Sequence, residues 1–445
     1  MNKQSIDKAK SFRAGMYLLD SFTTGMYNDP LIIYREYIQN AVDSIDMTPD
    51  RPNDPFAVKI SLEPGTRKIT IHDNAMGLPS ALSEDVLSSV GSSDKAFGKL
   101  RGFRGIGRLG GIAFSDRAVF RTKSKNESLE SIQEWDCESL RKLLAEQRKD
   151  ALTLEEVFHR VTSFRHEKSN DKQASYFEVA LSGVSSFRNQ IFDVEKVKRY
   201  LCQIAPVPFD LINFSFGQRI DKYLSHSLAS YNRYTIMLNG EQIFKPYKDT
   251  VKITKGDIDQ IDGVELFGIE NGKGPMAYGW YGRRQSLLGA ITRGDDLAGI
   301  RVRVGNIQIG DSHLLDLCFR EPRFNSYVIG EIHVDSSSLI PNSRRDDFID
   351  NAEKGTFYNT IEKKIGLPIS KEIRYRSRLA STPATPSRLN DRDKSPQTQN
   401  AFSIVPQANK AVEQQVTDFL STLHDVCHNC PNLPKIRASL NLPGS

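Results

Sequence analysis

The chain has 445 residues, of which 38% are apolar, with 60 Lys and Arg against 55 Asp and Glu. This composition excludes a collagen-like or wholly disordered chain, and no apolar run approaches the roughly 18 residues that a bilayer crossing needs. The net charge of +5 permits an acidic partner without demanding one, and the scattered cysteines 137, 202, 318, 427 and 430 argue against a disulfide framework. The N-terminal stretch lacks a signal peptide's apolar region, so a cytoplasmic location is expected, with two or three domains from the length.

Along the chain, Val58, Ile60 and Leu62 alternate with polar neighbours, and Ile69 and Ile71 resume the alternation after Glu63-Pro64-Gly65-Thr66. That pattern predicts a β-hairpin. Residues 128–163 read as largely helical, and Phe177, Val179 and Leu181 return to strand period. A second block opens near residue 191. In it, Asn239-Gly240 after Tyr234-Thr-Ile-Met-Leu238 signals another hairpin. Strand-like runs follow at 276–282, 300–309 and 327–335, then a helix over 356–375. Residues 381–400 carry little that could be buried, which marks a flexible linker. Beyond it Val412, Val416, Phe419, Leu420, Leu423 and Val426 fall at helical spacing. The expected organisation is an α/β (α+β) chain with domains at 1–190 and 191–375, a linker at 376–409 and a C-terminal amphipathic helix and tail at 410–445.

Four features could carry chemistry. On a helix through residues 35–46, Glu36, Asn40 and Asp43 share a narrow arc opposite Tyr34, Ile38, Ala41 and Ile45. This is either a solvated polar face or a site, and asparagine is a poor helix-interior residue without a specific task. Next, Asp73 ends a strand and Gly77 follows four residues later. The carboxylate could accept a hydrogen bond from an exocyclic amine while the glycine admits close approach of a ligand, or the pair could be an ordinary Asx turn. The third is the run from Gly91 through Lys95 and Arg101 to Gly102-Phe-Arg-Gly105-Ile106-Gly107-Arg-Leu-Gly110-Gly111. Its exposed backbone N–H groups suit an anion, although no Gly-Lys-Ser/Thr follows as in a P-loop. The fourth is Asn342-Ser343-Arg344-Arg345-Asp346, either a surface ion-pair cluster or a phosphate contact. Cys427 and Cys430, with His424 and His428 nearby, supply one CxxC without a second, so zinc binding there competes with simple packing.

The first three features, in this order over residues 31–123, resemble the GHKL ATPase superfamily, which includes gyrase B, the ninety-kilodalton heat-shock chaperones, MutL-type repair proteins, MORC proteins and histidine kinases. The resemblance implies a Bergerat-type α/β sandwich binding ATP and Mg²⁺, followed by a transducer or middle domain. It implies that Glu36 activates water, Asn40 holds magnesium and Asp43 lies near the nucleotide. Asp73 would read the adenine amine, with Gly77 beneath the base and Ser175 near it. Lys95 falls in the lid that residues 91–101 would form, and Gly102, Gly105, Ile106 and Gly107 fall in the phosphate-side motif. An Asn-x-Ser-Arg-acidic stretch in the chaperones supplies an arginine to the γ-phosphate, so Arg344 is the first choice here and Arg345 the alternative. The sequence departs at Ala75, where many relatives have glycine. Implied functionally is a slow ATPase that closes into a homodimer, with residues 1–30 in the contact, and acts on a protein partner without a membrane. A DNA-associated clamp in defence or repair and a non-hydrolysing scaffold are the alternatives.

Overall fold

The computed structural model describes residues 29–49, 55–89, 107–145, 152–184, 188–254, 256–272, 274–292 and 296–381. The first helix, α1 (Ile32–Met47), starts behind Asp29-Pro30, where the Asp29 carboxylate accepts the Leu31 N–H at 3.0 Å. The hairpin of β1 (Ala57–Glu63) and β2 (Lys68–Asp73) forms in the expected register, with Ile60 opposite Ile71. After α2 (Ser80–Ser88) and a short 3₁₀ segment at Gly107–Ala113 come β3 (Arg117–Lys123), β4 (Leu129–Asp136), α3 (Cys137–Ala145), α4 (Leu154–Val161), β5 (Thr162–Lys168) and β6 (Tyr176–Ser182).

The opening of the stretch expected to be helical over 128–163, Leu129–Asp136, is therefore strand β4. Its residues pair with β3 on one side and β5 on the other. Two neighbouring ladders satisfy both edges of its backbone, and Ile132 and Trp135 are buried in place. A charged, Leu-poor segment with weak intrinsic preference takes the structure its neighbours offer.

The first sheet runs in the order β5-β4-β3-β6-β2-β1-β7-β8, with β7 (Thr235–Leu238) and β8 (Glu241–Gln242) at its end. It is antiparallel except where β1 lies parallel to β7. Asn239 and Gly240 both take positive φ (49° and 86°), the two-residue turn the sequence signalled. Val58, Ile60, Ile69, Ile71, Val179 and Leu181 point to one face, under α1 and α5 (Val194–Ile204). Lys59, Thr70, His72 and Glu178 turn to the other, partly or fully exposed face, the alternation typical of an antiparallel sheet packed on one side. The boundary at residue 190 does not divide the sheets, because β7, β8 and α5 all lie beyond it and complete the first layer.

The second sheet, ordered β13-β12-β14-β11-β10-β9, is built from β9 (Thr250–Lys252), β10 (Ile258–Glu270), β11 (Pro275–Arg284), β12 (Gly299–Val304), β13 (Ile307–Ile309) and β14 (Ile329–Val334). One face carries Val302, Ile332 and Ala277 against Phe357, Ile361 and Ile369 of the closing helices. The other face carries Trp280 against Phe209, Phe214 and Tyr247, and α6 (Gly217–Ser227) supplies Ile220 and Leu224 to the same cluster. The closing helices α7 (Ala352–Ile361) and α8 (Leu367–Ser381) are joined by a π turn at Glu362–Gly366. Pro368, which cannot donate to the helix, follows directly. Helical structure continues to Ser381, past the linker start expected at 376, as Ile369 and Ile373 stay buried on the second sheet's apolar face. The chain is thus α+β in class, and among the described residues no helix is long and apolar enough to cross a membrane.

Candidate functional site

The helix α1 is buried almost all round. Glu36 is 6% exposed, Gln39 1% and Asp43 0%, while Tyr34, Ile38, Ala41 and Ile45 are buried on the opposite arc. Its polar arc is therefore an interior surface and not a solvated one. Only Asn40 and Ser44 are half-buried before the exposed C-terminal end. A carboxylate is retained in such a place only with partners, and Glu36 has two arginines. Arg345 Nε lies 3.4 Å from Glu36 Oε1 and Arg35 Nε lies 3.7 Å from the same oxygen.

Arg345 reaches α1 from the far end of the chain. Residues 341–348 form a tight loop, closed by the Pro341–Phe348 bridge and by the Asn342 N–H donating to the Asp347 carbonyl at 2.8 Å. Arg345 sits there at φ +57°, a region that a residue with a Cβ rarely adopts. That conformation belongs to a side chain turned back onto α1, where it also donates to the Gln39 side-chain carbonyl. Arg35 holds the same loop by donating to the Arg344 carbonyl at 3.0 Å. The Arg344 side chain is turned away: it pairs with Asp346 at 2.9 Å and is 61% exposed. Of the two arginines weighed from sequence, the structure places Arg345, not Arg344, beside Glu36. Sequence spacing could not order them, because the left-handed turn decides which side chain faces inward.

Two glycines of the 102–111 run meet the same helix. A Cβ on Gly107 would stand 2.2 Å from Glu36 Oε2, and one on Gly111 would stand 2.3 Å from the Tyr37 hydroxyl. The Gly111 N–H donates to that hydroxyl at 3.1 Å. Glycine is required here by approach and not by φ. Lys95, Gly102, Gly105 and Ile106 lie outside the described residues, as do the lid at 91–101, residues 1–28 and the C-terminal segment with Cys427 and Cys430.

Asp73 ends β2 on the face that carries Ile69 and Ile71, and is 3% exposed. Its Oδ1 accepts the Ala75 N–H at 3.1 Å, so the Asx turn weighed as the plain alternative is present. Burial of the carboxylate on the core face is a separate fact that a turn by itself does not need. Gly77 has φ +63°, and a Cβ there would lie 2.0 Å from the Lys123 carbonyl oxygen. The strand bearing Ser175's neighbours lies alongside, since Phe177 pairs with Asp73 and Tyr176 O is close to Gly77; Ser175 itself is half-buried just before β6.

Several residues that hold this loop carried no sequence signal. Thr122 Oγ1 accepts the Leu78 N–H at 2.8 Å and donates to the Tyr176 carbonyl at 3.1 Å. Thr48 Oγ1 accepts the Met76 N–H at 3.2 Å and donates to Ser44 O at the end of α1. Lys123, fully buried, donates to the Ala174 carbonyl at 2.8 Å. The two threonines therefore fix the Asp73–Gly77 loop between α1 and the β3–β6 pair, and Lys123 ties the end of β3 to the residues ahead of β6 beside it. Single polar residues at strand ends are too common to be singled out without the fold.

Among the described residues no group of three or more His, Cys, Asp or Glu is placed to hold a metal. The Asn40 amide fits a hard cation whose other ligands are phosphate and water oxygens, the usual situation of magnesium on a nucleotide. No known family model matches the chain, and no characterised protein matches it either.

Proposed function

We propose that the chain is a Mg²⁺-dependent ATPase with a Bergerat-type nucleotide site, working as a conformational switch on a protein partner. The observation that carries this reading is the meeting of three sequence-distant elements at one buried carboxylate: α1 with Glu36, the glycine turn with Gly107, and the 341–348 loop with Arg345. The resemblance implied a general base, a phosphate-side glycine and a phosphate-seeking arginine for these motifs. Their convergence supports the reading because it falls on the three motifs for which the resemblance implied those roles.

In the proposed reaction Glu36 orients a water and takes its proton as the water attacks the γ-phosphorus, and ADP departs with the broken bond's electron pair. Asn40 would hold the magnesium ion, which neutralises charge on the phosphate oxygens. Asp73 and Gly77 would seat the adenine, with Asp43 and Ser175 close to it. Arg345 would stabilise charge developing on the transferred group, the task such a guanidinium performs in phosphoryl transfer. Arg345 contacts Glu36 and Gln39. A γ-phosphate competes for Arg345, and its capture frees Glu36 to accept a proton. Because Arg345 follows the last strand of the second sheet, this exchange ties nucleotide binding to the 341–348 loop. Differential contacts of this kind are what a ligand needs to bias two conformations, and closure into a homodimer is the proposed outcome.

The test is Mg²⁺-dependent ATP binding and turnover by the full chain, Glu36→Ala and Asp73→Asn in parallel. The reading expects Glu36→Ala to bind without turnover and Asp73→Asn to lose binding. Wild-type protein that binds no ATP, or turnover untouched by Glu36→Ala, removes it.

A further inference from the structure

Apart from the residues around Glu36, a groove of about 330 Å³ opens between α8 and the turns at 287–289 and 321–327. Its floor includes Leu287, Phe324 and Ile373, all buried, with Tyr327 beside them. Its rim carries Arg323, Arg374 and Arg378 with Glu321.

On this rim Glu321, Arg323 and Arg374 form one connected cluster. Glu321 Oε1 accepts Arg374 Nη2 at 2.8 Å and Nε at 3.3 Å. Its other oxygen accepts Arg323 Nε at 2.9 Å and stands 2.7 Å from Nη2. One carboxylate is thus filled by two guanidiniums from different elements, and the Nη1 of each makes no hydrogen bond with the described residues. Arg378 follows Arg374 by one helical turn on the same groove wall. Two other surface clusters have the opposite ratio. Lys354 is shared by Asp347 and Asp350, and Arg283 by Asp262 and Glu265. There each cation is fully matched, whereas here Glu321 holds two guanidiniums in place and leaves a positive excess above an apolar floor.

We propose that this groove binds an organic phosphate, with the phosphomonoester seated on Arg323 and Arg374 and its organic part on Phe324, Tyr327 and Leu287. Planar guanidiniums pair bidentately with phosphate oxygens, and fixing two of them in advance removes much of the ordering cost. An apolar floor with a few convergent polar groups is the general form of a small-ligand site, and the groove's volume falls in that range. The proposal is independent of ATP hydrolysis.

The experiment is calorimetric titration of the full-length chain with phenyl phosphate, with inorganic phosphate and benzyl alcohol titrated separately. Phenyl phosphate is expected to bind at least about tenfold more tightly than either, and Arg323→Gln and Arg374→Gln are each expected to weaken it by about tenfold or more. Both arginines are at the surface, so these variants keep their fold. Arg345→Gln is expected to leave phenyl phosphate binding unchanged, which separates this groove from the residues around Glu36. The proposal is overturned by absence of binding at ~10 mM, a concentration that would still reveal a millimolar site. It is equally overturned by unaltered binding in both groove variants, by matching loss in Arg345→Gln, or by equal affinity for inorganic phosphate.

Discussion

Two buried carboxylates, Glu36 and Glu331, each meet arginines, and they are built for opposite purposes. Glu331 lies fully buried between the layers. It accepts Lys245 Nζ at 2.9 and 3.0 Å, Arg303 Nε at 2.6 Å, the Tyr247 hydroxyl at 3.2 Å and His333 Nε2 at 3.1 Å. Arg303 extends the network to the Ala205 and Gln203 carbonyls at the end of α5, and the Asn306 side chain donates to Asn232 O. Glu331 is thus saturated by short contacts that fasten the second sheet to the first layer. The Glu36 pairs are longer, 3.4 and 3.7 Å to one oxygen, and the other oxygen faces a glycine. A saturated carboxylate cannot exchange partners without leaving buried charge exposed to nothing, whereas a loosely held one can. The first is a joint, and the second is proposed as a site.

The largest expected effect breaks the joint. Glu331→Gln leaves Lys245 and Arg303 without their counter-charge in a dry place and should cost about 3–5 kcal/mol in denaturant unfolding. The same measurement on Glu36→Gln should show under ~1 kcal/mol, since Arg345 keeps Gln39 and Arg35 keeps the Arg344 carbonyl as partners. An equal loss in both variants would mean that Glu36 is a structural joint like Glu331.

Acid sharpens it further. Burial pushes the His333 imidazole down from 6.5 to about 4, against the pull of Glu331. Burial would raise the Glu331 carboxyl, but Arg303, Lys245 and the His333 hydrogen bond hold it well below its usual value. Unfolded protein therefore takes up protons that the folded protein refuses, so the stability from His333 present above pH 6.5 is lost progressively toward pH 4. The expected fall from this residue is roughly 3 kcal/mol. His333→Gln should flatten that part of the stability–pH curve, as read by urea unfolding across the range.

At the site the readout is turnover. Glu36→Ala should lower ATP turnover at least ~100-fold, the usual worth of a general base, with nucleotide binding kept. Arg345→Ala should lower turnover as well, while Arg344→Ala should change it little because that side chain faces solvent. The reverse order in steady-state assays would return Arg344 to the role first considered for it.

Much of this was legible along the chain. Both hairpins followed from alternation and turn chemistry, because those are local rules that neighbouring residues settle among themselves. The polar arc of α1 was legible too, but not its burial, which depends on Gly107 and Arg345 arriving from elsewhere. The β4 segment reads as helix along the chain for the same reason in reverse: its strand form is imposed by β3 and β5. Residues such as Thr122, Thr48 and Lys123 gave no signal, since a lone hydroxyl or ammonium acquires its task only from the backbone groups that the fold brings to it.

By itself, then, the sequence determined which residues could do chemistry and which short segments would form hairpins and helices. Tertiary structure decided where the layers divide, that residues beyond 190 complete the first sheet, and that Arg345 faces Glu36 while Arg344 faces water. The physical reason is range. Periodicity and turn preference act over a few residues, whereas Arg345 and Glu36 are some three hundred residues apart, and only packing fixes which of two adjacent side chains turns inward.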